Sequence, residues 1–343
     1  MQDIRVGFVG AGQNTIDKHI PNLQAIRRIE LIGVCNRTED SSRLVSRQFS
    51  IPKMYANWQE AVADPDTDAI VIGTWPNMHC CVTLAALDAG KHVLTEARMA
   101  MNAAEARQML RASQKKPDLI AQVVPSPITL GVDSTVQRLL REGYIGNPLA
   151  IDVHYASSFL NREGKRHWRQ DSDRSGMNIL ALGIYYEAIQ RWVGEATSVM
   201  AAGKTFMKMR SDDNGVLQSV RIPEHLDVVA DMACGAQLHL QQSVITAFLQ
   251  GGGIYLFGEE GTLRFYQDKL WGARRGESQL MEIPIPHEEK GEWRVEEEFI
   301  GAIRGLEPVT RTTFEDGVKY MEFTEAVNRS MATGTRIHLP LSD

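Results

Sequence analysis

Ile4-Arg5-Val6-Gly7-Phe8-Val9-Gly10-Ala11-Gly12-Gln13-Asn14-Thr15-Ile16-Asp17-Lys18-His19 decides the fold of the N-terminal half. Val6, Phe8 and Val9 around small Gly7 suit a strand buried on both faces of a parallel sheet. The strand passes directly into Gly10-Ala11-Gly12. A tight turn there brings backbone N–H groups up to a pyrophosphate, and the helix that follows adds the positive end of its dipole. That helix carries Ile16, Ile20, Leu23 and Ile26 on one face. Gly10, Gly12, Gln13 and Asn14 are therefore candidates to face a dinucleotide. Thr15 stands in place of the fingerprint's third glycine, and an unliganded strand–turn–helix is the competing reading of a lone G-x-G. A second apolar run, Leu31 to Cys35, ends roughly twenty residues downstream, where the ribose-reading residue belongs.

Asn36-Arg37 follows that run. A carboxylate at Asn36 would accept from both ribose hydroxyls and repel a 2′-phosphate. Asn36 carries no charge, and Arg37 can fork onto a phosphate. The pair points to NADP ahead of NAD; the alternative is a solvated loop arginine. A helix is expected from about Ser41 through Leu44, Val45 and Phe49. The strand Ala69 to Ile72 ends at Gly73-Thr74-Trp75-Pro76-Asn77-Met78-His79, which offers Thr74, Trp75, Pro76, Asn77 and His79 to the same cofactor. Asn77 is expected to cap a helix closed by Gly90. The strand His92 to Thr95 leads into Glu96-Ala97-Arg98. Asn102 and Glu105 open another helix as a capping box. A last strand spans Asp118 to Val124, and Pro125 and Pro127 mark a boundary.

Length and a 43% apolar content allow two packed domains. A net charge of -6 and a pI near 5.9 argue against nucleic-acid and anionic-membrane partners. No apolar run approaches a membrane span, and no signal peptide is expected ahead of the first strand. Cys35, Cys80, Cys81 and Cys234 show neither metal spacing nor disulfide density, so no metal site is read and a reducing cytoplasm is expected.

In the second half, Leu149 to Ser157 reads as a strand with Ile151, Val153 and Tyr155 opposite Asp152 and His154. Val228 to Val244 holds two more, broken at Gly235. In the second of these Gln237, His239, Gln241 and Ser243 share a face suited to a substrate cavity, a subunit interface or solvent. Arg162, Lys165, Arg166, His167, Trp168 and Arg169 form a basic and aromatic cluster able to bind hydroxyls, a carboxylate or a phosphate, or simply a solvated loop. Ser175 to Asn178 is expected to open a long helix reaching Val193.

Gly10-Ala11-Gly12 with His19-Ile20-Pro21, then Thr74 to His79, then Gly90-Lys91-His92-Val93-Leu94-Thr95-Glu96, resemble the Gfo/Idh/MocA oxidoreductases. Leu140 to Ile145, Gly258 to Leu263 and Ala326 to Leu339 extend the likeness over nearly the whole chain. The spacing from Gly10 to His19 is one residue longer than the family's. The resemblance implies an α/β plus α+β fold: a Rossmann domain with a parallel sheet over residues 1–124, and a domain on a large, mostly antiparallel open sheet over 125–343. It implies NAD or NADP as cofactor, Glu96 on the cofactor side, and sugars, inositols or related polyols as substrates. An open sheet also implies a homodimer or homotetramer.

The catalytic motifs depart from the family. Its Glu-Lys-Pro is here Glu96-Ala97-Arg98, so the lysine that would hold the substrate hydroxyl is absent and Arg98 stands one position later. Its Asp-x-Gly-x-His helix motif is here Ala181-Leu182-Gly183-Ile184-Tyr185, which leaves Tyr185 as the conventional proton donor. A phenol titrates near 10 and needs a nearby cation to act as a base at neutral pH. The alternative for Tyr185 is packing against the sheet. The expectation is an NAD(P)-dependent oxidoreductase of a sugar-like or cyclic polyol, with Tyr185 and His167, Lys165 or Arg98 handling the hydroxyl proton. A redox-neutral oxidation and elimination cycle is one version. The competing class is a non-catalytic cofactor or sugar binder, favoured by the joint loss of the lysine and the carboxylate.

Overall fold

Residues 3–156 and 158–342 are described by the computed structural model. The chain divides into two compact units, Met1–Pro125 with Arg294–Met321, and Ser126–Trp293 with Glu322–Asp343.

The first unit is built on six parallel strands: Ile4–Val9 (β1), Ile29–Cys35 (β2), Lys53–Met54 (β3), Ala69–Ile72 (β4), His92–Thr95 (β5) and Ala121–Val123 (β6). Their order is β3-β2-β1-β4-β5-β6, which reverses between β1 and β4. That is where a doubly wound sheet opens a crevice outside its carboxyl ends. β4 is buried at every residue, as an apolar run covered on both faces requires. The helices between and after these strands are Ile20–Ala25 (α1), Glu39–Phe49 (α2), Trp58–Ala63 (α3), Pro76–Asp88 (α4) and Ala103–Gln114 (α5). Thr38 accepts from Ser41 N–H to cap α2, and Asn102 accepts from Glu105 N–H to cap α5.

Three expectations are corrected here. Asn77 does not cap α4: Trp75 holds the cap position and Pro76 occupies the first turn, where its missing N–H costs nothing. The strand expected over Asp118 to Val124 is confined to β6. The segment 294–321, assigned from sequence to the second domain, belongs to the first unit. Gln122 Nε2 donates to Glu298 Oε2 at 2.8 Å, and Met99 N–H donates to Tyr320 Oη at 2.6 Å.

The second unit carries Asp133–Arg141 (α6), Pro148–Ala156 (β7), Ser172–Ser175 (α7), Leu182–Val193 (α8), Ala196–Lys204 (β8), Met209–Ser211 (β9), Leu217–Ser219 (β10), His225–Met232 (β11), Gln237–Ser243 (β12), Gly253–Gly258 (β13), Gly261–Tyr266 (β14), Lys269–Arg274 (β15) and Met281–Ile283 (β16). Val295–Ile303 (α9) returns to the first unit. Phe314–Thr333 (α10) begins in the first unit and ends in the second, where Ile337–His338 (β17) closes the large sheet. Nine strands run in the order β16-β15-β14-β13-β7-β12-β11-β8-β17, antiparallel except for the parallel pair β12 and β7. β9 and β10 form a separate ribbon. Ser157, read as the end of the β7 strand, lies outside the described residues. Ile151 and Val153 are buried, whereas Asp152 and His154 point from the opposite face. The long helix expected from Ser175 starts only at Leu182, because Gly176 and Leu180 both take positive φ and break it. Among the described residues no helix is long and apolar enough to cross a membrane.

Candidate functional site

The loop after β1 is shaped by its glycines. Gly10 takes φ +80, and a Cβ there would sit 2.5 Å from the Thr74 side chain. A Cβ on Gly12 would sit 3.0 Å from Gly73 O. The chain then enters a π-helical turn, Thr15–His19, before α1. A π turn holds one more residue than an α turn, which accounts for the extra residue between Gly10 and His19. Thr15 is fully buried in the third-glycine position, and the close approach moves across to Gly73, whose Cβ would meet Thr15 Oγ1 at 2.1 Å.

These turns frame a cavity of about 520 Å³ at the β1/β4 switch point, which includes Gly10, Gly12, Asn36, Arg37, Thr74, Trp75 and Asn77 in its lining. That volume lies in the usual range for a small-molecule site. Asn36 Oδ1 accepts from Ala11 N–H at 2.6 Å, so this side chain fixes the glycine loop from the ribose-reading position. The Arg37 guanidinium lies 5.1 Å from the Trp75 ring centroid, a cation–π geometry that holds the charge at the mouth. A glycine-lined approach ending in an aromatic and a guanidinium fits the pyrophosphate and adenosine of a dinucleotide.

Other candidates sit outside that lining. Gln13 Nε2 bonds Asp17, and Pro76 is buried in the first turn of α4. His79 is fully buried, with Nδ1 at 3.0 Å from Arg98 O and Nε2 at 3.1 Å from Thr74 O. Burial lowers its pKa, and the ring joins the Thr74 loop to the Arg98 loop. Thr38, Ser41, Trp58 and Met78 line the cavity and were missed. Thr38 and Ser41 belong to the opening of α2 that follows Arg37, so helix capping was the available signal.

Asn14 and Glu96 meet instead in a buried polar cluster. Asn14 Nδ2 donates to Glu96 Oε1 at 2.5 Å, and His19 Nε2 lies 3.0 Å from the same oxygen. His19 Nδ1 bonds Glu296 Oε1 on α9, and Asn22 Nδ2 donates to Glu296 Oε2 at 2.9 Å. Burial works against a charged His19, but the hydrogen bonds to Glu296 and Glu96 outweigh it and raise its pKa to about 9. Both carboxyls are held below their usual range: burial opposes this, and their bonds to His19 prevail. At neutral pH the cluster is an imidazolium between two carboxylates. Nothing in the local sequence of His19 announces Glu296. After Glu96, Ala97 is followed by an Arg98 that is buried, with 4% exposure.

In the second unit Tyr185 lies on the first turn of α8, over the apolar face of the large sheet. Its ring centroid is 5.4 Å from that of Tyr155 on β7. Burial, followed by Tyr155, pushes the phenol up to about 12, so it keeps its proton. Glu187 points elsewhere: both its oxygens accept from Ser126 N–H, and Arg191 pairs with it at 2.8 Å. Lys165 and His167 are brought together in the lining of a second cavity, about 310 Å³, which also includes Arg169, Gln170 and Leu180. Tyr185 is not part of that lining. His167 Nδ1 accepts from Arg169 N–H at 3.2 Å, and burial lowers its pKa, with help from Arg169.

Residues 4–123 match the model of the oxidoreductase family with an NAD-binding Rossmann fold, and residues 134–264 match that of the GFO/IDH/MocA C-terminal domain. A trans-1,2-dihydrobenzene-1,2-diol dehydrogenase of Bos taurus is 27% identical over 184 residues, 53% of each chain. The match thus spans about half the length of that relative. A 1,5-anhydro-D-fructose reductase of Ensifer adhaerens is 27% identical over 272 residues, covering 76% of this chain and 74% of its own. A levoglucosan dehydrogenase structure in complex with NADH and levoglucosan superposes with a TM-score of 0.85 at 19% identity, over 99% of this chain and 100% of its own.

Proposed function

The chain belongs to the Gfo/Idh/MocA oxidoreductase family, and from that premise we propose that it is an NAD(P)-dependent oxidoreductase acting on a sugar-like or cyclic polyol substrate. The observation that carries this reading is the glycine-framed cavity at the β1/β4 switch point, with Arg37 over Trp75 at its mouth. A bound nicotinamide supplies the hydride chemistry. The chain's own residues bind, orient and handle the proton. Gly10, Gly12 and Asn36 shape the pyrophosphate and ribose end, and Arg37 takes a 2′-phosphate, which favours NADP. Tyr185 keeps its proton through the physiological range, so its phenol serves as a donor to a carbonyl oxygen. Without the family lysine no cation lowers its pKa toward the role of base. Lys165 and His167 extend the polar wall of the second cavity toward hydroxyls or an anionic group. Four free cysteines are in keeping with a cytoplasmic home, and the uncovered face of the large sheet with a homodimer or homotetramer.

The loss of both acid–base groups at Ala97 and Ala181 favours a second reading, a cofactor or sugar binder that does not turn over. Calorimetry with NAD, NADH, NADP and NADPH, followed by turnover assays on a panel of ketoses, inososes and polyols, separates the two. Binding of a reduced cofactor with its consumption by a carbonyl substrate supports the enzyme. Binding without turnover of any panel member supports the binder. No binding of any cofactor form at millimolar concentration rejects the enzyme and leaves only a sugar binder, which calorimetry with the panel compounds then checks.

A further inference from the structure

Three ligating side chains converge on the face of the large sheet opposite α8. Asp152 and His154 stand two apart on β7 and so leave the same face. His239 lies opposite Asp152 on the parallel neighbour β12. This register brings one ligand atom of each within 4.8 Å of the others. His239 Nδ1 is 3.5 Å from Asp152 Oδ1, and the His154 and His239 rings meet edge to face with centroids 5.4 Å apart. His154 Nδ1 is shielded from solvent and has no hydrogen-bond partner among the described residues. A shielded ring nitrogen without a partner carries a desolvation cost that neither the strand pairing nor a neighbouring side chain offsets.

The far side of His239 is also prepared. Its Nε2 faces Asp227 Oδ1 at 3.9 Å. Asp227 is itself held, accepting from Gln241 Nε2 at 2.9 Å and lying 3.0 Å from His225 Nε2. At 3.9 Å the His239 approach is a charge contact and not a hydrogen bond; a ring rotation that brings Nε2 onto this anchored carboxylate gives the arrangement that fixes the tautomer of a metal-binding imidazole.

We propose that Asp152, His154 and His239 form a site for a divalent transition metal of the zinc, cobalt or nickel class. Two imidazoles and one carboxylate suit these ions, whereas magnesium and calcium take all-oxygen sets. Metal–ligand bonds of roughly 2.0–2.2 Å need the three atoms to close by about an ångström, within reach of side-chain rotation. Three protein ligands leave a fourth position for water or an exogenous group. The site lies on sheet residues that neither the cofactor cavity nor the proton-handling role uses, so it stands or falls separately from those assignments.

The test uses the full chain, untagged and stripped of metal, titrated with Zn²⁺ by calorimetry and with Co²⁺ by visible absorption. One equivalent per chain at micromolar affinity is expected, with d–d bands and no thiolate charge-transfer band. His239→Ala and His154→Ala should each weaken Zn²⁺ binding by more than the roughly 10–100-fold typical of an outer-shell partner. The near-isosteric Asp152→Asn should weaken it as well, which keeps the test decisive should a histidine variant misfold. His287→Ala, far along the chain and exposed, should leave it unchanged. Cofactor affinity should be the same in every variant. Absence of binding below millimolar Zn²⁺, affinity unmoved by the histidine changes, or a thiolate band from Cys81 or Cys234 would overturn the site.

Discussion

His19 and Glu296 stand 277 positions apart and are joined by a direct hydrogen bond, with neither side chain exposed. The other nitrogen of the same ring lies against Glu96, at the head of the Glu96-Ala97-Arg98 loop. One imidazolium thereby ties that loop to α9 within the first unit.

A measurable pH dependence follows. The folded pKa of His19, about 9, exceeds its unfolded value near 6.5, so the stabilisation is complete below about pH 6.5 and is lost as pH rises through about 9. Its size is about 3 kcal/mol, at 1.36 kcal/mol per pKa unit. Urea unfolding at about pH 6 and about pH 9.5 should show this loss in the native chain. His19→Leu should lose about 3–5 kcal/mol near neutrality, because two buried carboxylates are left facing each other. A native chain equally stable at both pH values would remove His19 from this role.

Cofactor choice should rest on Arg37. A charge-assisted bond to a 2′-phosphate contributes roughly 1.5–3 kcal/mol, an NADP preference of about ten- to a hundredfold. Arg37→Ala should erase that preference. NAD affinity should change little, since Asn36 and the glycine turn remain. Calorimetry on both proteins checks it; equal affinities for the two cofactors in the native chain would contradict the assignment.

Tyr185→Phe should abolish turnover on whichever substrate is found and leave cofactor affinity intact. The change removes one oxygen and little volume, so its cost in stability should stay below about 1.5 kcal/mol. Unaltered turnover would make Tyr185 a packing partner of Tyr155. The double change Ala97→Lys with Ala181→Asp restores the family residues, and no gain on simple sugars is expected, because Arg98 also differs.

Assembly should be at least dimeric. On the face of the large sheet that carries His239, Met200 and Val229 remain exposed. Light scattering that gives a single mass near 38.3 kDa across micromolar concentrations would refute this.

Much of the first unit was legible in the chain because its signals are local. Val6 to Gly12 reads as strand and turn within one window, and Asn102 with Glu105 announces the start of α5. The two-strand reading of Val228 to Val244 also held, since Gly235 takes φ +92 at the turn between β11 and β12. Failures came where the deciding partner is distant. Nothing near Asn14 or Glu96 shows that both turn inward to His19, and nothing near His19 points to Glu296. His79 reads as a cavity residue from its motif, yet its two carbonyl neighbours at Thr74 and Arg98 take the ring inside. Asp152 and His239 become neighbours only through the parallel register of β7 and β12, which no spacing rule in the sequence encodes. The helix expected from Ser175 failed for a local reason: Leu180 takes φ +44, a conformation its side chain does not advertise.

The π turn at Thr15–His19 takes up one residue more than an α turn within a single turn of the chain. Slack is thereby stored between two fixed points, Thr15 against Gly73 and His19 against Glu96 and Glu296. Deleting one residue between those points closes the segment into an ordinary α turn and leaves both anchors seated.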